Sequence, residues 1–136
     1  MQVLSMMGYT GTPIGQLHNE LFRAGGPHKF PYRYMDAKRS RIFFIPAEGV
    51  VVLAHPGQYK ADNVMEMMIE EHMLDGIELN HPRNDEKTRE HITSLCKEHD
   101  LFMTGGTDFH GLYTKTPYPL GSFLCPKEGL HRLILA

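Results

Sequence analysis

Apolar segments alternate with helical segments between residues 50 and 104, and this alternation limits the possible folds more than any other feature. Residues 50–54 form a continuous β-branched and apolar run, as in strands that are buried on both faces. A helical pattern follows, then a short strand at 77–79, a second helical pattern and an apolar run at 101–104. This βαβαβ order predicts an α/β fold with a parallel sheet and right-handed crossovers.

The two helices of this stretch carry apolar positions that we expect to form the core. Methionine dominates the first helix, and its flexible thioether side chain fills irregular gaps in a core. Asp62 or Asn63 is expected to cap the first helix, and Asn84 or Asp85 the second. The predicted inward positions are Val64, Met67, Met68 and Met73 on the first helix and Ile92, Leu95 and Cys96 on the second.

Further elements are predicted outside this stretch. Thr12 is placed to cap a helix that begins at Pro13. Asp36 is placed to cap another helix that runs to about Phe44 or Ile45. A last strand is predicted at 122–124, before an apolar tail.

Composition indicates one soluble domain. The 136 residues suffice for one core, and 14 basic against 16 acidic residues give a net charge of −2, with no basic surplus to indicate nucleic acid. Cys96 and Cys125 lie far apart, which predicts reduced thiols in a cytosolic protein. No apolar run approaches the roughly 20 residues of a membrane span, and the first residues lack the basic region of a signal peptide. We therefore expect a cytoplasmic protein.

Polar side chains occur where the predicted strands end. His55 follows the first strand, Glu78 lies in the second, and Asp108 and His110 follow the third. Because parallel strands end at one edge of a sheet, these side chains are expected to meet there. Nitrogen and oxygen ligands of this kind suit zinc, manganese or iron. Local alternatives remain open: a turn shaped by His55, a loop capped by Asp108, and an ion pair between Glu78 and an arginine.

His81 and Arg83 belong to the same predicted edge. The planar guanidinium of Arg83 matches phosphate oxygens, although an ordinary surface arginine is an equal alternative. The motifs of this edge are Ala54-His55-Pro56-Gly57, Gly76-Ile77-Glu78-Leu79-Asn80-His81-Pro82 and Gly105-Gly106-Thr107-Asp108-Phe109-His110-Gly111. Together with Pro119-Leu120-Gly121-Ser122 and with Gly15-Gln16-Leu17-His18, they resemble the PHP (polymerase and histidinol phosphatase) family. They are most similar to its bacterial phosphoesterases of nucleotides or RNA.

The resemblance implies a distorted (β/α)7 barrel with two or three divalent metal ions, and metal-assisted hydrolysis of a nucleotide, RNA or small phosphoester. It assigns the metal ligands to His55, Asp108 and His110. The same resemblance, together with the position of residues at the sheet edge, suggests five candidates for substrate binding. They are Glu78, His81, Arg83, Asn84 and His18.

The chain departs from the family pattern in its first half. No His-x-His motif occurs, Glu78 does not match the metal-bridging glutamate of the family, and Asn84 stands where close relatives carry histidine. We therefore expect one partial domain over 1–136. In it, 1–48 resembles the end of an inserted helical region and 49–136 forms the C-terminal strands and helices of the barrel.

A partial barrel leaves two functions open. The chain is either part of a phosphoesterase that needs its missing N-terminal half, or a non-catalytic remnant that binds a metal or a partner. Exposed sheet edges and apolar surface favour self-association or pairing with the missing half.

Overall fold

The structure is a computed structural model, and it describes residues 1–44, 49–111 and 118–135. The chain divides into two units. Unit 1 comprises Met1–Tyr34 and Phe109–Tyr118, and unit 2 comprises Met35–Asp108 and Pro119–Ala136. The sequence-based division at residue 48 stays a prediction.

Unit 1 contains two short helices, α1 (Gln2–Met6) and α2 (Gln16–Leu21). Helix α2 begins later than predicted, after the extended residue Gly15. The Thr12 hydroxyl donates to the carbonyl of Ile14 at 3.3 Å, and no side chain caps the helix. A local turn therefore uses the residue that the sequence places at the helix start.

Unit 2 contains a three-stranded parallel sheet in the order β1-β2-β3, which confirms the predicted βαβαβ order. The chain passes through α3 (Ala37–Phe44), β1 (Val52–Leu53), α4 (Pro56–Tyr59), α5 (Asp62–Glu70), β2 (Gly76–Asn80), α6 (Glu86–Glu98), β3 (Phe102–Gly105) and α7 (Lys127–Leu135). Among the helices of the described ranges, none has the length and apolar character needed to cross a bilayer.

Strand β1 is shorter than the five-residue run suggests. It pairs with β2 alone, so one side of it has no ladder partner among the described residues. Just before it, the Val51 N–H donates to the Asp75 carboxylate at 2.7 Å, and the Val51 carbonyl accepts from the Asp75 N–H at 2.9 Å. A side chain thus replaces part of the expected ladder.

The strand predicted at 122–124 does not form. Ser122 and Phe123 are bends, and the Leu124 carbonyl accepts from the Asn80 side-chain amide at 2.8 Å. Pro119 and Pro126 flank the segment and lack the N–H groups that a ladder needs. Helix α7 follows and packs on β3.

The core lies between the sheet and helices α5 and α6. Val64 and Met67 were wrongly predicted to be inward, because their exposures are 47% and 38%. The helix turns Met65 and Ile69 inward in their place. The buried cluster is Met65, Met68, Ile69, Met73, Leu74, Ile77, Ile92 and Cys96.

Two predicted helix caps are confirmed by hydrogen bonds, whereas the cap predicted at Asp62 or Asn63 is wrong, because α5 begins after Ala61 and has no side-chain cap. The Asp36 carboxylate accepts from the Lys38 N–H at 2.9 Å. The Asp85 carboxylate accepts from the Thr88 N–H at 2.8 Å, and hydrogen bonds from the side chain and backbone of Thr88 lower the pKa of Asp85. The second cap fixes where α6 begins, directly after the polar residues of the β2 edge.

Candidate active site

His55 lies two residues beyond β1 in a left-handed backbone conformation, with φ 34° and ψ 56°. This conformation is uncommon outside glycine, although histidine adopts it more readily than most residues. The His55 N–H donates to Oε2 of Glu78 at 2.7 Å. Pro56 then occupies the first position of α4, where a proline is well tolerated. The carboxylate on β2 therefore fixes the loop that presents His55.

Asn84 holds the same loop from the other side. Its side chain is 1% exposed, and its Nδ2 donates to the carbonyls of Glu78 at 2.8 Å and Leu79 at 3.0 Å. Its Oδ1 accepts from the Gly57 N–H at 3.0 Å. A Cβ at Gly57 would lie 2.7 Å from the Arg83 carbonyl oxygen, so only glycine allows this close approach.

His81 follows β2 and is almost fully buried, with 1% exposure. Its Nδ1 accepts from the Arg83 N–H at 3.1 Å. Its ring centroid is 5.2 Å from that of His55. Its Nε2 lies 3.4 Å from Oδ2 of Asp108, without the geometry of a hydrogen bond. The three predicted site residues His55, His81 and Asp108 are therefore brought together in unit 2.

Asp108 follows β3 and also has a left-handed backbone, with φ 53°. The preceding residue, Thr107, is buried, and its Oγ1 accepts from the Gly121 N–H at 3.1 Å. The Thr107 hydroxyl also lies 3.4 Å from the carbonyl of Phe123, to which it donates. The segment that contains Gly121 thus anchors the loop on which Asp108 lies.

The donors at this edge fit a divalent metal in their chemistry. His55 Nδ1 and His81 Nε2 are buried without a hydrogen-bond partner among the described residues. An unpartnered buried nitrogen is costly, and a nearby metal or proton acceptor would satisfy it. Within the described ranges, however, no three His, Cys, Asp or Glu residues form a group arranged to hold a metal. The edge therefore supplies suitable donors but not a closed coordination set.

The other predicted site residues lie elsewhere. His18 is half-buried on α2 of unit 1, 6.4 Å from the Phe22 ring, and its Nδ1 is also unpartnered among the described residues. His110 is exposed and belongs to unit 1, two residues beyond Asp108. Arg83 is exposed, and it lines a cleft beside Gly57. The roles of these residues stay predictions from the sequence.

Tyr59 was missed by the sequence interpretation. Its ring centroid is 5.6 Å from that of His55, and the side chain is 69% exposed. The available signal was Pro56, which favours the first turn of a helix and thereby places Tyr59 one turn after His55. An exposed ring beside the candidate ligand can contact a bound molecule.

An imidazole and a carboxylate that follow strands of one parallel sheet are typical of hydrolases whose sites lie at the carboxyl edge. Comparison with known proteins supports this class. The chain is 30% identical over 118 residues to a phosphoribosyl 1,2-cyclic phosphate 1,2-diphosphodiesterase of Eggerthella lenta, covering 87% of this chain and 45% of that protein. No protein-family model matches the sequence.

Two solved structures share the fold. One, from Bifidobacterium adolescentis, is provisionally described as a metal-dependent phosphoesterase. It is 26% identical to this chain with a TM-score of 0.79, and the match covers 98% of this chain and 48% of that protein. The other, an amidohydrolase of Chromobacterium violaceum with bound sulfate and no metal, has 18% identity, a TM-score of 0.66 and the same coverages, and it shows the fold alone.

The resemblance to metal-dependent phosphoesterases is thereby confirmed, and the chain spans about half the length of the relatives it matches.

Proposed function

We propose that this chain forms one edge of the active site of a metal-dependent phosphoesterase, as the C-terminal portion of a distorted (β/α)7 barrel of the PHP type. The observation that carries the proposal is the convergence of His55, His81 and Asp108 at the carboxyl edge of the sheet, with Nδ1 of His55 buried and unpartnered among the described residues. The identity to the Eggerthella lenta enzyme supports the same activity.

Within unit 2, His55 and Asp108 would hold a divalent ion, which we take to be manganese, zinc or iron. When bound, such an ion polarises a phosphoryl oxygen and lowers the pKa of a bound water. The chain's own contribution is orientation. Glu78 and Asn84 keep the His55 loop in a conformation that would otherwise be strained.

The substrate that we favour is a small cyclic phosphodiester rather than RNA. The Eggerthella lenta relative is named for a phosphoribosyl cyclic phosphate. An open cleft of about 450 Å³ beside Gly57 and Arg83 is large enough for such a molecule, and it is lined by neighbours of the site rather than by His55, His81 or Asp108. Its charged lining is balanced, which suits local contacts with a phosphate better than a basic track for a polymer. The charged and titratable side chains there are Lys60, Arg83, Lys87, Asp62, Glu66, Asp85 and His91.

Hydrolysis and metal content test the proposal together. The chain would be assayed with Mn²⁺, Zn²⁺ or Fe²⁺ on a phosphoribosyl 1,2-cyclic phosphate and on a single-stranded RNA. Each assay would be run on the chain by itself and again after addition of the half of the Eggerthella lenta enzyme that the chain does not match. We expect a bound metal, and hydrolysis of the cyclic phosphate that is lost in Asp108→Ala and His55→Ala with little change in fold.

The outcomes separate the two functions considered. A bound metal without hydrolysis, even after addition of the other half, would favour a metal-binding remnant over an enzyme. Neither metal nor hydrolysis in any combination would overturn the proposal. Unfolding by either substitution in a protein that binds no metal would show that His55 and Asp108 are structural.

A further inference from the structure

Both ring nitrogens of His81 have defined neighbours. Nδ1 lies 3.1 Å from the backbone N–H of Arg83, which can only donate. Nδ1 must therefore present its lone pair, because a proton there would be directed at another proton. The ring is 1% exposed, so water does not compete for this nitrogen.

The remaining nitrogen then carries the proton of the neutral ring. Nε2 lies 3.4 Å from Oδ2 of Asp108, an oxygen that accepts hydrogen bonds. A nitrogen that bears a proton has no lone pair in the ring plane to give to a metal. The same two contacts that place His81 beside the candidate ligands therefore exclude Nε2 from being a ligand in this tautomer.

We infer that His81 is a positioning residue that donates its Nε2–H to Asp108 and aims that carboxylate, and that it binds neither metal nor substrate directly. The inference rests on the proposed function for its consequence, because the aimed carboxylate matters when it holds a metal. Ligating carboxylates are commonly oriented by such hydrogen bonds, whose loss typically weakens metal binding by about 10–100-fold. At 3.4 Å the two atoms face each other without hydrogen-bond geometry, so the inferred hydrogen bond requires a small rotation of the Asp108 carboxylate towards Nε2.

Matched substitutions distinguish positioning from ligation. In His81→Asn the side-chain oxygen replaces Nδ1 and still accepts from Arg83, but no group reaches Asp108. In His81→Gln the side-chain amide replaces Nε2 and can still donate to Asp108. We expect Mn²⁺ or Zn²⁺ affinity, measured by competition with a chelator, to fall about 10–100-fold in His81→Asn and to recover in His81→Gln to within about 10-fold of the unmodified chain.

A second measurement needs no metal. Long-range ¹H–¹⁵N NMR of the metal-free chain should show His81 with a bare Nδ1 and a protonated Nε2, and Asp108→Asn should move the Nε2 signal. Circular dichroism would confirm that each variant is folded. A protonated Nδ1, or equal loss of metal affinity in both His81 variants, would overturn the inference.

Failure of the proposed function has a different result. An unmodified chain that binds no metal and hydrolyses nothing would refute that function. If the NMR experiment on the same chain nevertheless shows the Nε2–H tautomer and its response to Asp108→Asn, the hydrogen bond stands and only its use in a metal site is lost. If the NMR experiment shows neither, both conclusions fail.

Discussion

Asn84 fills a position in the second unit where three backbone groups need a partner. Its amide donates to two carbonyls at the end of β2 and accepts from the N–H of Gly57. All of this occurs at 1% exposure, so water cannot readily replace the amide. The residue that the sequence suggests as a candidate for substrate binding therefore links the end of β2 to the loop that carries His55.

We expect Asn84→Ala to lower the free energy of unfolding by about 2–4 kcal/mol, because buried backbone groups lose their partners. Urea denaturation measures this loss. The matched control is Asn63→Ala, since Asn63 is exposed on α5 and its replacement should change stability by no more than about 0.5 kcal/mol. Equal effects of the two substitutions would contradict the assigned role of Asn84.

The two thiols of the chain should differ in reactivity. Burial raises the pKa of Cys96 to about 11 from 9.0, whereas Cys125 is partly exposed. Only the thiolate reacts, so at pH 8 native Cys96 should be alkylated about 100-fold more slowly than in urea. Mass spectrometry after timed iodoacetamide treatment measures both sites, and Cys125 should react first.

The same pKa shift makes stability depend on pH in the alkaline range. The folded-state pKa of Cys96 is raised, so its contribution to stability is complete below about 9 and is lost as the pH rises towards about 11. A native Cys96 that is alkylated as fast as the unfolded thiol would contradict the burial described for it.

At the scale of elements, helix α5 shows how the rotation of a helix about its axis decides which side chains form the core. Met65 has 0% exposure, whereas its neighbour Val64 has 47%. The helix is apolar on several faces, since five of the six residues from 64 to 69 are apolar. The spacing of apolar residues therefore does not by itself determine which face of the helix is buried. Packing against Ile92 and the sheet determines it.

We expect Met65→Ala to cost about 2–5 kcal/mol through the cavity that it leaves. Val64→Ala is the control on the adjacent position, and it should change stability by about 0.5 kcal/mol or less. Thermal and urea denaturation of both variants would measure the difference. A larger loss in the Val64 variant would show that the helix packs in the predicted phase instead.

At the scale of the whole molecule, the sheet of unit 2 has three strands in the part of the chain that the structure describes. Strand β1 lies at one end of the order β1-β2-β3, and within the described ranges no further strand pairs with its outer side. Unpaired edges readily accept another strand. Apolar side chains are also exposed on α7, namely Leu130, Leu133, Ile134 and Leu135.

We predict that the chain self-associates when it is alone. Light scattering coupled to size-exclusion chromatography should give a mass above 15.5 kDa that rises with concentration. A Val52→Pro substitution removes a backbone N–H from the edge strand and should reduce this association, whereas the matched control Val52→Ala keeps that N–H and should not. A stable monomer at all concentrations would contradict the prediction.

Much of the sheet and part of the site were predictable because they depend on local order along the chain. The runs at 77–79 and 101–104 are mostly apolar, and Asp85 caps the helix between them, so β2, α6 and β3 follow from neighbouring residues. The sequence also placed His55 and Asp108 after strands of one sheet. The resemblance to phosphoesterases was drawn from those same motifs, and the similar proteins confirm it.

The partners of each side chain were not predictable in this way. The Thr12 hydroxyl donates to the Ile14 carbonyl in a tight turn, which takes the place of the expected helix cap. The Leu124 carbonyl accepts from the side chain of Asn80, which is distant in sequence, and the expected strand does not form there. Such competition depends on which groups the fold brings within about 3 Å of one another.

The sequence by itself determined the parallel order of the strands, the resemblance to phosphoesterases and the motifs that carry His55 and Asp108, since all three depend on neighbouring residues. Only the tertiary structure decided that Asn84 holds the loop and that His81 turns one nitrogen to Arg83 and the other to Asp108. The physical reason is that hydrogen bonds join groups by distance and direction, and these exist only once the chain has folded.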